Sequence, residues 1–208
     1  PDNGKSVYVP EKADKKARLQ RIKEIREESA VLIAIGACAT SGGIQALRNA
    51  RDLDEFTRIV YASPEYIDSL AETTPISDHV EVDLELRGCP ISKEQLLEVV
   101  IAYLNGRAPV LPTYSVCMEC KRQGHVCVTV AHGRPCLGPV THAGCGALCP
   151  AFDRGCYGCF GPRERAATGA LAEVLRTHGA DGPALVRAFR GFTGNAPPFR
   201  EESSRHEP

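Results

Sequence analysis

Apolar and polar positions alternate in several rhythms along this chain, and each rhythm predicts a different kind of element. Residues 11–29, EKADKKARLQRIKEIREES, are charged nearly throughout. Ala13, Ala17, Ile22 and Ile25 leave a thin apolar stripe, and pairs such as Lys23 with Glu27 fall four residues apart, so the segment predicts a surface helix. AVLIAIGAC follows as a short continuous apolar run, which suits a strand buried on both faces of a parallel sheet. It ends in Gly36, and CATSGGIQALRNA predicts a small-residue loop entering a helix. FTRIVYASPEYIDSL reads as a second strand-and-helix unit. In HVEVDLELRGCP, Val80, Val82, Leu84 and Leu86 alternate with Glu81, Asp83, Glu85 and Arg87, the rhythm of a strand with one covered face. That strand delivers Cys89 to a loop.

SKEQLLEVVIAYLNG is the clearest helix, with Ser92 and Gln95 as a capping box, Leu96, Leu97, Val100 and Leu104 as the buried face, and Gly106 as the stop. Residues 17–107 thus read as part of an α/β domain with cysteines at its loop mouths. From APVLPTYSVC to about Pro162 the periodicity vanishes. Gly, Pro and Cys recur every few residues there, so hydrophobic burial alone can hardly order the segment and a bound crosslink is expected. Beyond it, RERAATGALAEVLRTHG and GPALVRAFRGF predict two short helices, and NAPPFREESSRHEP a mobile tail. The expected division is 1–107, 108–162 and 163–208.

At 208 residues with 43% hydrophobic content, the chain is long and apolar enough for a buried core. Its 25 basic and 26 acidic residues leave no net field to attract nucleic acid or an anionic membrane. The longest apolar run is about half of what would span a bilayer, and no basic stretch with an apolar core and a small-residue cleavage site opens the chain. A soluble protein in a reducing compartment is the expectation. The first residue is Pro rather than Met, and the numbering is read as that of a fragment.

The ten cysteines change the picture. Eight of them, Cys117, Cys120, Cys127, Cys136, Cys145, Cys149, Cys156 and Cys159, crowd into one segment. Disulfides belong to oxidising compartments, and nothing in the sequence argues for export. Two structural zinc sites could be built on the Cys-x-x-Cys pairs 117/120 and 156/159. Two 4Fe-4S clusters would use the same soft thiolates, four to each cube. Glycines between the ligands, which let backbone N–H groups approach a bulky cluster, favour iron and sulfur. So do the prolines after Cys149 and Cys89, as in ferredoxin Cys-Pro endings. Cys38 and Cys89 stand apart from both foursomes. Each is either a small buried hydrophobe or, with the other, half of a site in the loops GACATSGG and RGCPIS, where an open α/β sheet binds ligands.

LIAIGACATSGGIQALRN, YASPEY, ELRGCPISKEQLLEV, CMECKRQGHVCV and PCLGPVTHAGCGALCPAFDRGCYGCFGP together resemble the small, electron-transferring subunit of nickel-iron hydrogenases. The likeness is closest to the cytoplasmic, pyridine-nucleotide-linked type, also called the sulfhydrogenase delta subunit. Its first half also resembles the complex I subunit that carries the last cluster before quinone, a family without an eight-cysteine block. The resemblance implies an α/β, flavodoxin-like parallel sheet followed by an iron-sulfur-stabilised domain. It implies a proximal 4Fe-4S cluster held by a Cys-x-x-Cys pair and by two later cysteines, which the motif places at Cys38 and Cys89. The first pair has no counterpart here, so the first strands of the sheet and half of that site are expected to be absent. Order along the chain assigns Cys145, Cys149, Cys156 and Cys159 to a medial cluster and Cys117, Cys120, Cys127 and Cys136 to a distal one, or the two sets interleave. Some relatives place a histidine where Cys117 stands, so His125, His132 and His142 are expected to form local hydrogen bonds.

The resemblance further implies electron relay in the cytoplasm, between the nickel-iron site of a large subunit and flavin- and NAD(P)-binding or further iron-sulfur subunits. No residue here supplies nickel ligands, so the active site of such an oxidoreductase belongs to a partner. Gly36, Gly43, Gly144 and Gly158 are expected at close backbone approaches or at turns. A free-standing ferredoxin-like carrier and a structural zinc module are the alternatives.

Overall fold

The computed structural model describes residues 15–67 and 69–208, with side chains described from Leu19 onward. Helix α1 (Lys15–Glu28) carries the charged segment. Ile22 and Ile25 are half-buried, whereas Ala13 and the side chain of Ala17 lie outside the described part. The end of α1 is tied down by the Arg26 guanidinium on the Asp83 carboxylate, which also accepts the Leu32 N–H at 2.7 Å.

The apolar run supplies strand β1 (Ile33–Ile35), followed directly by helix α2 (Gly36–Ser41). The small-residue stretch is thus helical rather than a loop, and α2 ends on Gly42 in the left-handed region. Next comes a 3-10 helix, Ile44–Ala50, in place of the expected α-helix. FTRIV is not a strand. It lies in helix α3 (Leu53–Val60), which starts because the Asp52 carboxylate accepts the N–H groups of Asp54 and Glu55 at 2.9 and 3.0 Å. That cap outweighs the strand preference of the β-branched residues behind it.

Strand β2 (Leu84–Leu86) pairs in parallel with β1, Ile33 facing Leu84, Ala34 facing Glu85 and Ile35 facing Leu86. Ala34 and Leu86 are buried, but Ile35 is 49% exposed, so β1 is not covered on both faces. The two strands and the helices around them are consistent with an α/β class. Helix α4 (Lys93–Leu104) begins as expected, with Ser92 Oγ accepting the Gln95 N–H at 3.3 Å. The Gln95 amide does not reach back to complete the capping box. It donates instead to the Ala143 carbonyl at 3.2 Å. The buried face also differs: Val99 and Ala102 point inward, while Leu97, Val100 and Leu104 are exposed and Leu96 is half-buried. The two smaller side chains let the helix approach closely and turn the bulkier apolar stripe outward.

The cysteine segment folds into short pieces: α5 (Val116–Arg122), α6 (Val128–His132), a 3-10 turn at Gly138–Val140, and α7 (Leu148–Ala151). Then come α8 (Thr168–Thr177), α9 (Gly182–Phe189) and α10 (Pro197–Ser204). The expected mobile tail is largely α10. Phe199, Glu202 and Ser203 are buried, and the Glu202 carboxylate takes hydrogen bonds from Thr168 Oγ1 at 3.1 Å and Arg205 at 2.7 Å. Its prolines mislead as a loop signal, because the first helical turn tolerates Pro well. Leu171, Leu175, Leu185, Phe189 and Phe199 form a core, and Leu137 and Val140 from the cysteine segment join it. Among the described residues no helix is long and apolar enough to cross a membrane.

Candidate metal centre

Backbone hydrogen bonds first give the cysteine segment its frame. Val116 N–H donates to Thr141 O, Ala143 N–H to Tyr114 O, and His142 N–H to Gly161 O, at 3.0, 3.0 and 3.1 Å. Cys117 and Cys120, three apart on α5, share one helical face. Between them, Glu119 accepts the N–H groups of Gly144 at 2.9 Å and Ala147 at 3.2 Å, drawing the 144–147 turn onto the helix. Ala147 is held at a positive φ of 53° within that turn. This carboxylate clamp escaped the sequence reading. Its signal was an acid inside a Cys-x-x-Cys pair that had no carboxylate chemistry to perform.

Cys145, Cys149, Cys156 and Cys159 line one cavity of about 410 Å³, with Val116, Leu148, Pro150 and Phe160 among its walls. Cys89 lines the same cavity, whereas Cys38 does not. Cys156 is buried, the other three of the foursome are half-buried, and Cys89 is exposed. In the second foursome, Cys117, Cys120 and Cys136 are half-buried and Cys127 is exposed. The two groups touch: Cys156 N–H donates to Cys136 Sγ at 3.2 Å, and Cys120, Cys136, Cys145 and Cys156 all pack about Val116 and Ala147. A Cβ at Gly138 would fall 3.4 Å from Cys136 Sγ and 3.7 Å from Cys156 Cβ, ordinary van der Waals contact, so Gly138 borders both groups.

Burial raises the pKa of Cys156 far above that of an ordinary thiol, even though its sulfur accepts the Gly158 N–H at 3.5 Å. Cys159 is pushed up to about 11 by burial, against the pull of the Cys89 N–H, with Cys145, Cys149 and Cys89 adding like-charge repulsion. Cys120 is raised by burial and then by the nearby thiols of Cys117, Cys136 and Cys127. Cys136 and Cys145 are raised by burial as well. Thiols held protonated in this way must lose their protons to bind metal, so loading releases acid.

Among the described residues no three His, Cys, Asp or Glu side chains converge closely enough to hold a single metal ion. A zinc site would need four thiolates about 3.8 Å apart, given Zn–S bonds of about 2.3 Å. A four-iron cube spreads its ligands more widely. The donor set, the largely apolar walls and the N–H groups directed at sulfur fit such a cube.

Cys38 is exposed on α2, its Sγ 3.3 Å from Gln45 Oε1. A Cβ on Gly43 would lie 2.6 Å from that sulfur, so this position requires glycine. The Ala37 N–H donates to Gly88 O at 2.9 Å, which joins the Cys38 helix to the Cys89 loop at the ends of the two paired strands. The histidines bond locally. His125 meets Gln123 Oε1 at 2.8 Å and His132 meets Asp153 at 3.3 Å, while His142 is lowered to about 4 by burial and by the charge of Arg87.

Known proteins resemble this chain along much of its length. Residues 7–103 match the family described as NADH ubiquinone oxidoreductase, 20 Kd subunit. Sulfhydrogenase 2 subunit delta of Pyrococcus furiosus is 39% identical, over 76% of this chain and 66% of the relative. A vhu subunit of the F420-non-reducing hydrogenase of Methanocaldococcus jannaschii is 37% identical, over 69% of this chain and 60% of its own length. An iron-sulfur subunit of the F420-non-reducing hydrogenase of Archaeoglobus profundus is 27% identical, over 68% and 59%. The chain therefore spans 59–66% of the length of these curated relatives.

A thiol-rich segment joined to a 20 Kd-subunit domain defines the class, that of the iron-sulfur subunits of oxidoreductases. The matches support a hydrogenase small subunit related to the 20 Kd subunit of NADH ubiquinone oxidoreductase.

Proposed function

We propose that this chain is an electron relay, passing electrons singly between the nickel-iron site of a large subunit and a subunit that reduces NAD(P) or a similar acceptor, in the cytoplasm. The observation that carries the reading is the single cavity ringed by Cys145, Cys149, Cys156 and Cys159, directly against a second thiol group. The first foursome would hold one 4Fe-4S cluster, and Cys117, Cys120, Cys127 and Cys136 would hold another. Cys38 and Cys89, at the ends of paired strands, would supply half of a third site on a flavodoxin-like sheet. The division 1–107, 108–162 and 163–208 follows, the last part packing on the middle one. When bound, 4Fe-4S clusters supply reversible one-electron chemistry.

The chain's own residues set the conditions for that chemistry. Val116, Leu148 and Phe160 restrict water at the cavity. The Cys156 and Gly158 N–H groups place positive dipole ends on cysteine sulfurs, which favours added negative charge. Glu119, spent on two backbone N–H groups, fixes the turn that presents Cys145. No residue is assigned to hydrogen cleavage, which belongs to the large partner.

The test is the iron, zinc and acid-labile sulfide content of anaerobically purified protein, with an optical spectrum before and after dithionite. About eight irons with matching sulfide and bleaching on reduction are expected. About two zincs without sulfide would overturn the reading and leave a structural module.

A further inference from the structure

Away from the cysteines, a second recess lies between α2, the 3-10 turn at Ile76–Asp78, β2, the segment following Pro162 and the start of α10, with a volume of about 470 Å³. Four arginines line it, Arg87, Arg163, Arg165 and Arg200. Arg87 is satisfied. Its guanidinium meets Glu85 at 2.9 Å and donates to Pro162 O at 2.7 Å. The other three make no ion pair with a described carboxylate, although Asp78 and Glu164, besides Glu85, also line the recess. Arg200 has a single long contact, to Asn195 Oδ1 at 3.5 Å.

Arg163 is the informative one. Among the described residues its Nε is the buried side-chain nitrogen or oxygen left without a hydrogen-bond partner. A buried donor without an acceptor costs about 1–3 kcal/mol, and more when charged, so a native site that retains one is completed by an ordered water or a bound ion. Beside it, Arg165 holds a left-handed backbone, φ 54°, where a non-glycine residue is strained. Such strain gathers at ligand clamps.

We propose that this recess binds a phosphate group. Several arginines around one space match a tetrahedral oxyanion with several acceptor oxygens. A phosphate carries up to two charges, which suits multiple unpaired arginines better than the single charge of a carboxylate. The volume falls within the range of small-molecule sites and exceeds what one free phosphate fills, so the group can arrive free or carried on a nucleotide. Nothing in this inference depends on the electron-relay reading or on the metal content of the chain.

The experiment is calorimetric titration of the full chain, as purified, with inorganic phosphate and separately with adenosine monophosphate, ionic strength being held constant with chloride. Saturable binding is expected, weakened about tenfold or more in both Arg163→Gln and Arg200→Gln, each of which removes a charged fork. Arg187→Gln, an exposed arginine on α9 outside the recess, should bind like the parent. Tighter binding of the nucleotide would identify a carried phosphate, and equal binding a free one. Absence of saturable binding by both probes would overturn the proposal, as would an equal loss in all three variants, the sign of unspecific charge. Arg200 is exposed, so its variant provides the test if Arg163→Gln does not fold.

Discussion

The C-terminal helices and the cysteine segment lie side by side and are ordered by different means. In α8, α9 and α10, large apolar residues meet at helical spacing. Leu171, Leu175, Leu185, Phe189 and Phe199 are all buried, and the rings of Phe189 and Phe199 pack edge to face at 5.7 Å. In residues 116–160 one buried cluster consists of Val116, Ala147 and Cys156, with further cysteines packed around them. One region holds itself through area removed from water. The other has thiols where that core would be, and their protonation is already biased by burial. The lesson is that the cysteine segment leans on its neighbour, through Leu137 and Val140 in the helical core and Thr193 Oγ1 on Gly158 O at 2.7 Å, and that the proposed clusters would supply the rest of its order.

The comparison breaks most visibly at Cys156. Replacing it with Ala should remove about four irons per chain, one cube's worth, measured by iron and sulfide assay. Retention of the full iron content would detach this residue from any cluster. Next in size, Phe189→Ala should destabilise the helical region by about 3–5 kcal/mol in denaturant unfolding while the folded fraction keeps its iron. A matching drop in iron per folded chain would mean that the two regions are not separable. Smaller still is the cap of α9, where the Asp181 carboxylate accepts the Ala184 N–H at 2.7 Å. Asp181→Ala should cost about 1 kcal/mol, visible as a modest fall in calorimetric Tm.

The smallest effect concerns pH. His142 is lowered to about 4 from an ordinary value of 6.5, so the unfolded chain takes up its proton first as pH falls. The stability that neutral His142 contributes is complete above 6.5 and is lost as pH falls through 4. His142→Gln should therefore flatten the fall in urea midpoint across that window and leave the slope above pH 7 unchanged. An identical slope in both proteins would show that His142 titrates normally.

Much of the frame was legible because it rests on local rules. The alternation at 80–87 announced β2, Ser92 announced the start of α4, and the short apolar run announced β1. What failed was set by tertiary packing. Periodicity pointed to Leu97, Val100 and Leu104 as the inner face of α4, but close packing selected the smaller Val99 and Ala102. The Pro-rich C-terminal stretch hid α10, whose order comes from burying Phe199 and satisfying Glu202. Cysteine spacing made the two foursomes visible as candidates. It did not reveal that Cys89 shares a cavity with Cys159, nor that Cys136 and Cys156 touch, because those pairs are joined only by the folded backbone.

Hydrogen exchange on the anaerobic protein, before and after its iron is stripped with a chelator, tests most directly the claim that metal orders the cysteine segment. Amides in 117–162 are predicted to lose protection on stripping, while those in α8 and α9 keep theirs. Unchanged protection across 117–162 after all iron is gone would contradict the account.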